Sequence, residues 1–275
     1  MKGNIIQNII EAIKIKIRAA FNNPYAPMGV SSITIKKLKH LPYFTPGIFK
    51  MFGSDIHYGN PPEVVYFLKE FFVNGIYRID FSKPNPYIID CGSNIGFSII
   101  HFKIQYPNSE ILAFEPDDKN FDLLQKNIKP YRNIQLENKA VWNMDTTLNF
   151  IMDGTQGSGI AFDKETTGTK KVTAVRLKKY LERKVDFLKI DIEGAEYEVI
   201  MDCKEELKNV DKLFVEYHGV FTEQYKLFDI LDVLKSLDYK IYIKEADNVY
   251  PSPFVLSSKD ANKPFDHQYN IFAFK

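Results

Sequence analysis

From residue 87 onward, short apolar runs of strand length alternate with amphipathic stretches of helix length, and no other feature of this chain narrows its fold as far. YIIDC (87–91), EILAFE (110–115), VDFLKID (185–191) and KLFVEYH (212–218) read as strands, and NIQLENKAVW (133–142) as a strand running into a loop. Helical patterns fill 96–106, 117–129, 194–208 and 221–237; Pro107 ends the first, and Asp117 and Asp118 open the second. TLNFIMD (147–153) and KKVTAV (170–175) look like paired strands around a Gly/Ser/Thr-rich loop at 154–169, and YKIYIK (239–244) and YNIFAFK (269–275) are the last two strands. Such alternation predicts an α/β sheet with helices on both faces.

Upstream the pattern breaks. Six prolines between Pro24 and Pro62 predict an irregular stretch with short elements over 22–62, where LysLys-rich 36–39 reads as a solvated basic strand. The domain boundary is placed there, giving an N-terminal segment 1–62 and a main domain 63–275. PPEVVYFLKEFFV (61–73) reads as a helix started by its prolines. Before it, Ile5, Ile9, Ile13 and Ile17 form one stripe of an amphipathic helix, a candidate homodimer surface. No apolar run reaches the ~18–20 residues of a membrane span. The first 21 residues are interrupted by Glu11, Lys14, Lys16 and Arg18 and do not read as a secretory signal. Cys91 and Cys203 share no metal or redox spacing, so two reduced thiols in a cytoplasmic protein are expected. Basic residues number 36 and acidic ones 35, a balance that speaks against a nucleic-acid partner.

The first chemical signal is Asp90-Cys91-Gly92-Ser93-Asn94-Ile95-Gly96, where the first strand becomes a helix. Glycines there let the backbone turn tightly and approach a ligand, at the rim where parallel sheets bind their ligands. Glu115 ends the next strand, placed to accept hydrogen bonds from ribose hydroxyls, and Pro116 stops that strand. The spacing is D-x-G-x-x-x-G. A dinucleotide pyrophosphate wants a glycine where Asn94 stands, and the Asp90 carboxylate would repel it. Both features suit a cationic ligand without phosphate, and S-adenosylmethionine has that charge.

The second signal is a pair of strand ends, Asp191-Ile192-Glu193-Gly194-Ala195-Glu196 and Glu216-Tyr217-His218-Gly219. Crowding ionisable groups on one rim is costly unless they bind something. Asp191, Glu216 and His218 each follow an apolar strand and are the candidates. Glu196 and Glu198 read as a solvated first helical turn.

IIDCGSNIGFS, FEPDD, LKIDIEGAEYEV and FVEYH, in this order, resemble the FkbM-type methyltransferases, a branch of the class I S-adenosylmethionine-dependent enzymes. The resemblance covers about 58–275. It implies a Rossmann-like, seven-stranded, mostly parallel sheet with its last strand antiparallel, and O-methylation of hydroxyls on sugars, polyketides and related natural products. By the resemblance, Asp90, Gly92, Ser93, Asn94 and Gly96 would line the methionine part of the donor and Glu115 the ribose. Pro116, Asp117, Asn138, Ala140 and Val141 would lie around the adenine, and Asp191 beside the transferring methyl. Tyr58 and Glu63 resemble an upstream element that closes over the donor.

The expected reaction is methyl transfer from S-adenosylmethionine to a carbohydrate hydroxyl, free or nucleotide-activated, leaving S-adenosylhomocysteine. His218 is the expected base, oriented by Glu216 or Asp191. A version in which Asp191, Glu193, Glu216 and His218 hold a divalent metal is weighed but not expected. One rival is an NAD-dependent sugar oxidoreductase or epimerase. It is disfavoured by Asn94 and because Tyr180 and Lys184 sit too close to the next strand to form a catalytic helix pair. The other rival is a non-catalytic carbohydrate-binding relative.

Overall fold

A computed structural model describes residues 23–151, 159–160, 169–255 and 263–275. The expected helix 4–21 lies outside them, as do most of the 154–169 loop and part of the 245–268 connection. The chain divides into two compact units, one ending at Arg78 and the other beginning at Ile79.

In the first unit, helix α1 (Ser32–His40) starts where Ser31 Oγ accepts the Thr34 N–H at 3.0 Å, an N-cap. Ile35 and Leu38 form its buried stripe, while Lys36, Lys37 and Lys39 are exposed. The basic strand expected at 36–39 is therefore a helix; the cap and the three-residue spacing of its apolar pair outweigh the charge run. Strands β1 (Gly47–Met51) and β2 (Ser54–Tyr58) pair as an antiparallel hairpin. Its two-residue turn places Phe52 at φ 49° and Gly53 at φ 79°, the doubly left-handed geometry that matches strand twist. Helix α2 (Pro61–Phe67) begins on its prolines and widens into a π-helical stretch over Leu68–Val73, where Phe67, Phe71 and Tyr77 pack ring to ring.

The second unit is built on seven strands. In chain order they are β3 (Tyr87–Cys91), β4 (Glu110–Phe114), β5 (Ile134–Glu137), β10 (Phe187–Ile190), β11 (Lys212–Gly219), β12 (Lys240–Asp247) and β13 (His267–Phe274). Their spatial order is β12-β13-β11-β10-β3-β4-β5. All neighbours are parallel except β13, which runs antiparallel to both β11 and β12, as the resemblance implied. Between the strands run α3 (Phe97–Gln105), α4 (Asp118–Ile128), α5 (Glu196–Asp202) and α6 (Tyr225–Ser236). A smaller sheet joins β6 (Ala140–Trp142), β7 (Thr146–Ile151), β8 (Gly159–Ile160) and β9 (Thr169–Arg176), with β7 and β9 antiparallel as expected.

Successive strand residues face opposite sides of the sheet. One face carries Ile89, Cys91, Leu112, Leu188, Ile190, Leu213 and Val215 into a cluster with Val199 and Ile200 of α5, Cys203 just past its end, and Ile230 and Leu234 of α6. On the other face Phe187 meets Phe102 of α3 at 5.4 Å between ring centroids. Both cysteines are buried and unpaired. Among the described residues no helix is long and apolar enough to cross a membrane.

Gly92 links the fold to the rim above it. Its φ is 86°, and a Cβ there would lie 1.8 Å from the Asp191 carbonyl oxygen, so the turn after β3 presses directly on the end of β10. Gly92→Ala should destabilise by at least about 3 kcal/mol, left-handed strain plus the clash. Gly53→Ala, with nothing within 4 Å of the added Cβ, should cost about 1 kcal/mol. Thermal unfolding of the two variants checks this; equal losses would contradict the close packing at Gly92.

Candidate functional site

Cys91, Ile190 and Val215 end the strand pairings of three adjacent parallel strands, so residues 92, 191 and 216 emerge together at one rim. After β3, the N–H groups of Gly92 and Ser93 both donate to the Phe114 carbonyl, at 3.1 and 3.0 Å, and Asn94 takes a left-handed φ of 46°. The turn is tied to the next strand by Glu115. The Asn94 N–H donates to Glu115 Oε2 at 2.8 Å, and the Asp117 N–H to Oε1 at 2.9 Å. Burial pushes the Glu115 carboxyl up to about 8 against the opposing pull of those two bonds. Asp117 caps α4 by accepting from Lys119 and Asn120 through Oδ1. Its Oδ2 is buried with no hydrogen-bond partner among the described residues. Asn138 donates from Nδ2 to the Glu115 carbonyl at 3.0 Å. Ala140 and Val141, expected in a loop, form β6 instead, and both side chains are buried.

The middle of the rim is organised by a lysine the sequence reading passed over. Lys189 lies in register with Asp90 on neighbouring central strands, both almost fully buried. Its Nζ is 3.4 Å from Asp90 Oδ1 and 3.1 Å from Asp191 Oδ2, and it donates to the Gly92 carbonyl at 2.9 Å. Burial opposes its charge, but Asp191 and Asp90 outweigh that and hold its pKa above the ordinary lysine value. Asp90 Oδ2 accepts from Ser98 Oγ at 2.5 Å, while Oδ1 has no hydrogen-bond partner among the described residues.

His218 is the second buried cation, its side chain 2% exposed. Its Nδ1 lies 3.2 Å from Glu196 Oε1, and its Nε2 is 3.5 Å from Glu193 and 3.9 Å from Glu216. The Phe265 ring covers one face at 4.8 Å. Burial alone would lower the imidazole pKa, but Glu196 first, then Glu193 and Glu216, raise it to about 10. Burial, with Asp191 adding to it, lifts Glu216 to about 8, and burial lifts Glu193 well above the usual carboxylate range. Asp191, Glu193 and His218 each offer a ligand atom within 4.8 Å of the others, the one group among the described residues that could hold a metal ion.

The structure thus brings together Asp90, Gly92, Ser93, Asn94, Glu115, Asp191, Glu216 and His218. It also corrects one expectation. Glu196 is not a solvated helical residue: it is fully buried and is the carboxylate nearest the His218 ring, where Glu216 or Asp191 was expected. His267 pairs with Gly219 across β13 and β11 and stacks near Tyr217 and Tyr269.

A family model described as the methyltransferase FkbM domain matches residues 90–241, more than half of the chain. Methyltransferase 1 of Beauveria bassiana (strain ARSEF 2860) is 28% identical over 190 residues, covering 58% of this chain and 76% of that one. The 2-O-methyltransferase NoeI of Sinorhizobium fredii (strain NBRC 101917 / NGR234) is 25% identical over 182 residues, covering 57% and 74%. Among solved structures, methyltransferase FkbM from Methylobacillus flagellatus KT aligns with a TM-score of 0.47 at 16% identity, over 72% of this chain and 46% of that chain.

Glu115, Glu216 and His218 all hold protons more tightly in the folded chain than their ordinary values allow. Their contribution to stability is present at low pH and fades as pH rises, from about 4.5 through about 8 for the glutamates and from about 6.5 through about 10 for His218. The melting temperature of the ligand-free protein should fall between roughly pH 6.5 and 9.5, and His218→Gln should flatten the upper part of that slope. A wild-type melting temperature that rises across this range would contradict the assignment.

Proposed function

The chain belongs to the FkbM methyltransferase family, and on that premise we propose that it transfers a methyl group from S-adenosylmethionine to a hydroxyl of a carbohydrate acceptor. The observation that carries the donor is the rim itself. Five acidic side chains (Asp90, Asp191, Glu193, Glu196 and Glu216) meet two basic ones, Lys189 and His218, beside a tight glycine turn. Even with Glu193 and Glu216 holding protons, the remaining carboxylates outnumber the two basic groups, so the site takes a cation more readily than a diphosphate. The buried oxygens Asp90 Oδ1 and Asp117 Oδ2, which lack hydrogen-bond partners among the described residues, fit the polar groups of a nucleoside amino acid.

In this reading Asp90, Gly92, Ser93, Asn94 and Gly96 hold the methionine part. Glu115 faces the ribose, and Pro116, Asp117 and Asn138 face the adenine, backed by Ala140 and Val141. Asp191 stands beside the reacting carbon. When bound, the donor supplies an electrophilic methyl group on a positively charged sulfur. Orientation of the acceptor against that carbon provides much of the rate. Oxygen as the accepting atom is supported by the name of the 2-O-methyltransferase relative. Sugars are among the acceptor classes that the motif resemblance implies.

His218 takes the acceptor's proton on Nε2, and only the unprotonated ring can do so. In the ligand-free chain the ring holds its own proton at neutral pH. A cation placed at Asp191 adds positive charge to the same cluster and makes that proton easier to lose.

His218→Ala should lower turnover about 10²–10⁴-fold without weakening donor binding. The wild-type rate should climb with pH through the alkaline range. The reaction is tested by incubating the protein with isotope-labelled methyl donor and a panel of nucleotide-activated and free sugars, with products weighed by mass spectrometry. Gain of one labelled methyl on a sugar hydroxyl is expected. Label found only on nucleic acid or on a non-carbohydrate hydroxyl would overturn the acceptor class, and His218→Ala turning over within a few-fold of wild type would remove His218 as the base.

A further inference from the structure

Acidic residues in the first turn of a helix ordinarily face water, where the helix dipole favours them. Glu196, the first residue of α5, is fully buried instead. Its carboxylate folds back over the preceding turn. Oε1 accepts the N–H groups of Ile192 at 3.2 Å and Gly194 at 3.0 Å. The same oxygen lies 3.2 Å from His218 Nδ1, and Oε2 accepts the His218 backbone N–H at 3.5 Å. One side chain therefore joins the end of β10, the turn after it and the end of β11.

That turn is unusual in its backbone. Glu193 and Gly194 are consecutive left-handed residues, at φ 56° and 98°. Around this turn the N–H groups of Ile192 and Gly194 converge on one point, where they bind an anion. Here the anion is Glu196. The turn's shape in turn places the Glu193 carboxylate 3.5 Å from His218 Nε2. Glu196 thus acts on both partners of that pair: on His218 through Nδ1, and on Glu193 through the backbone that carries it. With Nδ1 directed to Glu196, Nε2 is the ring atom left facing Glu193 and Glu216.

Within the methyl transfer put forward above, and resting on it, we propose that Glu196 is the positioning residue of the reaction: it fixes the tautomer and direction of His218 and shapes the 191–195 turn so that Nε2 meets the acceptor. Glu196 is fully buried and would act through the ring and the turn. Its neighbours around the ring are Glu193 from the turn and Glu216 from β11, with Asp191 close by and Lys189 beyond it. Of these, Glu196 is the carboxylate in hydrogen-bond contact with the ring. A carboxylate behind the ring favours the imidazolium, and its loss should make His218 a weaker base.

The test uses Glu196→Gln, which keeps an oxygen for the two N–H groups but removes the charge, and Glu196→Asp, which keeps the charge on a shorter arm. The His218 ring protons, identified by their absence from His218→Ala, are titrated by NMR in the ligand-free proteins. The rate–pH curve is measured alongside. In Glu196→Gln the His218 titration should fall by at least about one pH unit, a tenfold loss of proton affinity. The alkaline rise in turnover should move down with it, the maximal rate should drop at least about tenfold, and donor KM should stay within about twofold. Glu196→Asp should recover part of both shifts.

A purely structural residue would lower the melting temperature without moving the titration. An unmoved titration in Glu196→Gln overturns the proposal. A moved titration with an unmoved rate curve overturns it too, because Glu196 would then hold a histidine the reaction does not use. The titration needs no acceptor, so failure to find a carbohydrate substrate counts against the reaction proposed above and leaves the His218 contact separately measured.

Discussion

Lys189 puts a positive charge between two neighbouring strands in the middle of a largely apolar sheet, and the acidic rim is arranged around it. A buried ion loses several kcal/mol of hydration, and it stays charged only if its partners are close and well placed. Asp90, Asp191 and the Gly92 carbonyl meet that need from three directions. The arrangement fixes the distance between β3 and β10 at the height where the glycine turn begins.

Neutralising Lys189 does not balance the rim. His218 compensates part of the surplus by holding a proton beside Glu196, Glu193 and Glu216, and Glu216 itself has a raised pKa. The rim is thus a place where protons and a cationic ligand compete for the same negative charge. On the proposed reaction, arrival of one would favour departure of the other, which would couple donor binding to the freeing of a base. Replacing such buried charges with apolar groups often leaves a protein equally or more stable. Their presence here is better explained by what they bind than by the stability they give.

Much of the fold was legible in the sequence because strand and helix periods differ and the segments alternate cleanly after residue 87. The antiparallel last strand came from the motif resemblance. The misreadings have a common physical source. At 36–39 a run of lysines hid the Ile35–Leu38 spacing of a helix. Glu196 looked like a solvated helix start because sequence position shows the dipole but not the turn that folds the side chain inward. Lys189 carried a usable signal, a single charge inside the apolar run FLKI, and it was passed over in favour of the acidic residues after it. By contrast the placement of Asp90, Asp191, Glu216 and His218 on one rim was legible because each sits at or next to the carboxyl end of an apolar stretch of strand, where the sheet topology sends side chains together.

The most direct test of a rim built for a cation is calorimetric titration of the purified protein with S-adenosylmethionine, and separately with NAD⁺. Saturable binding of one S-adenosylmethionine per chain is expected, weakened at least about tenfold by Asp90→Asn, with no heat from NAD⁺. No heat from S-adenosylmethionine, or equal binding of the dinucleotide, would contradict it.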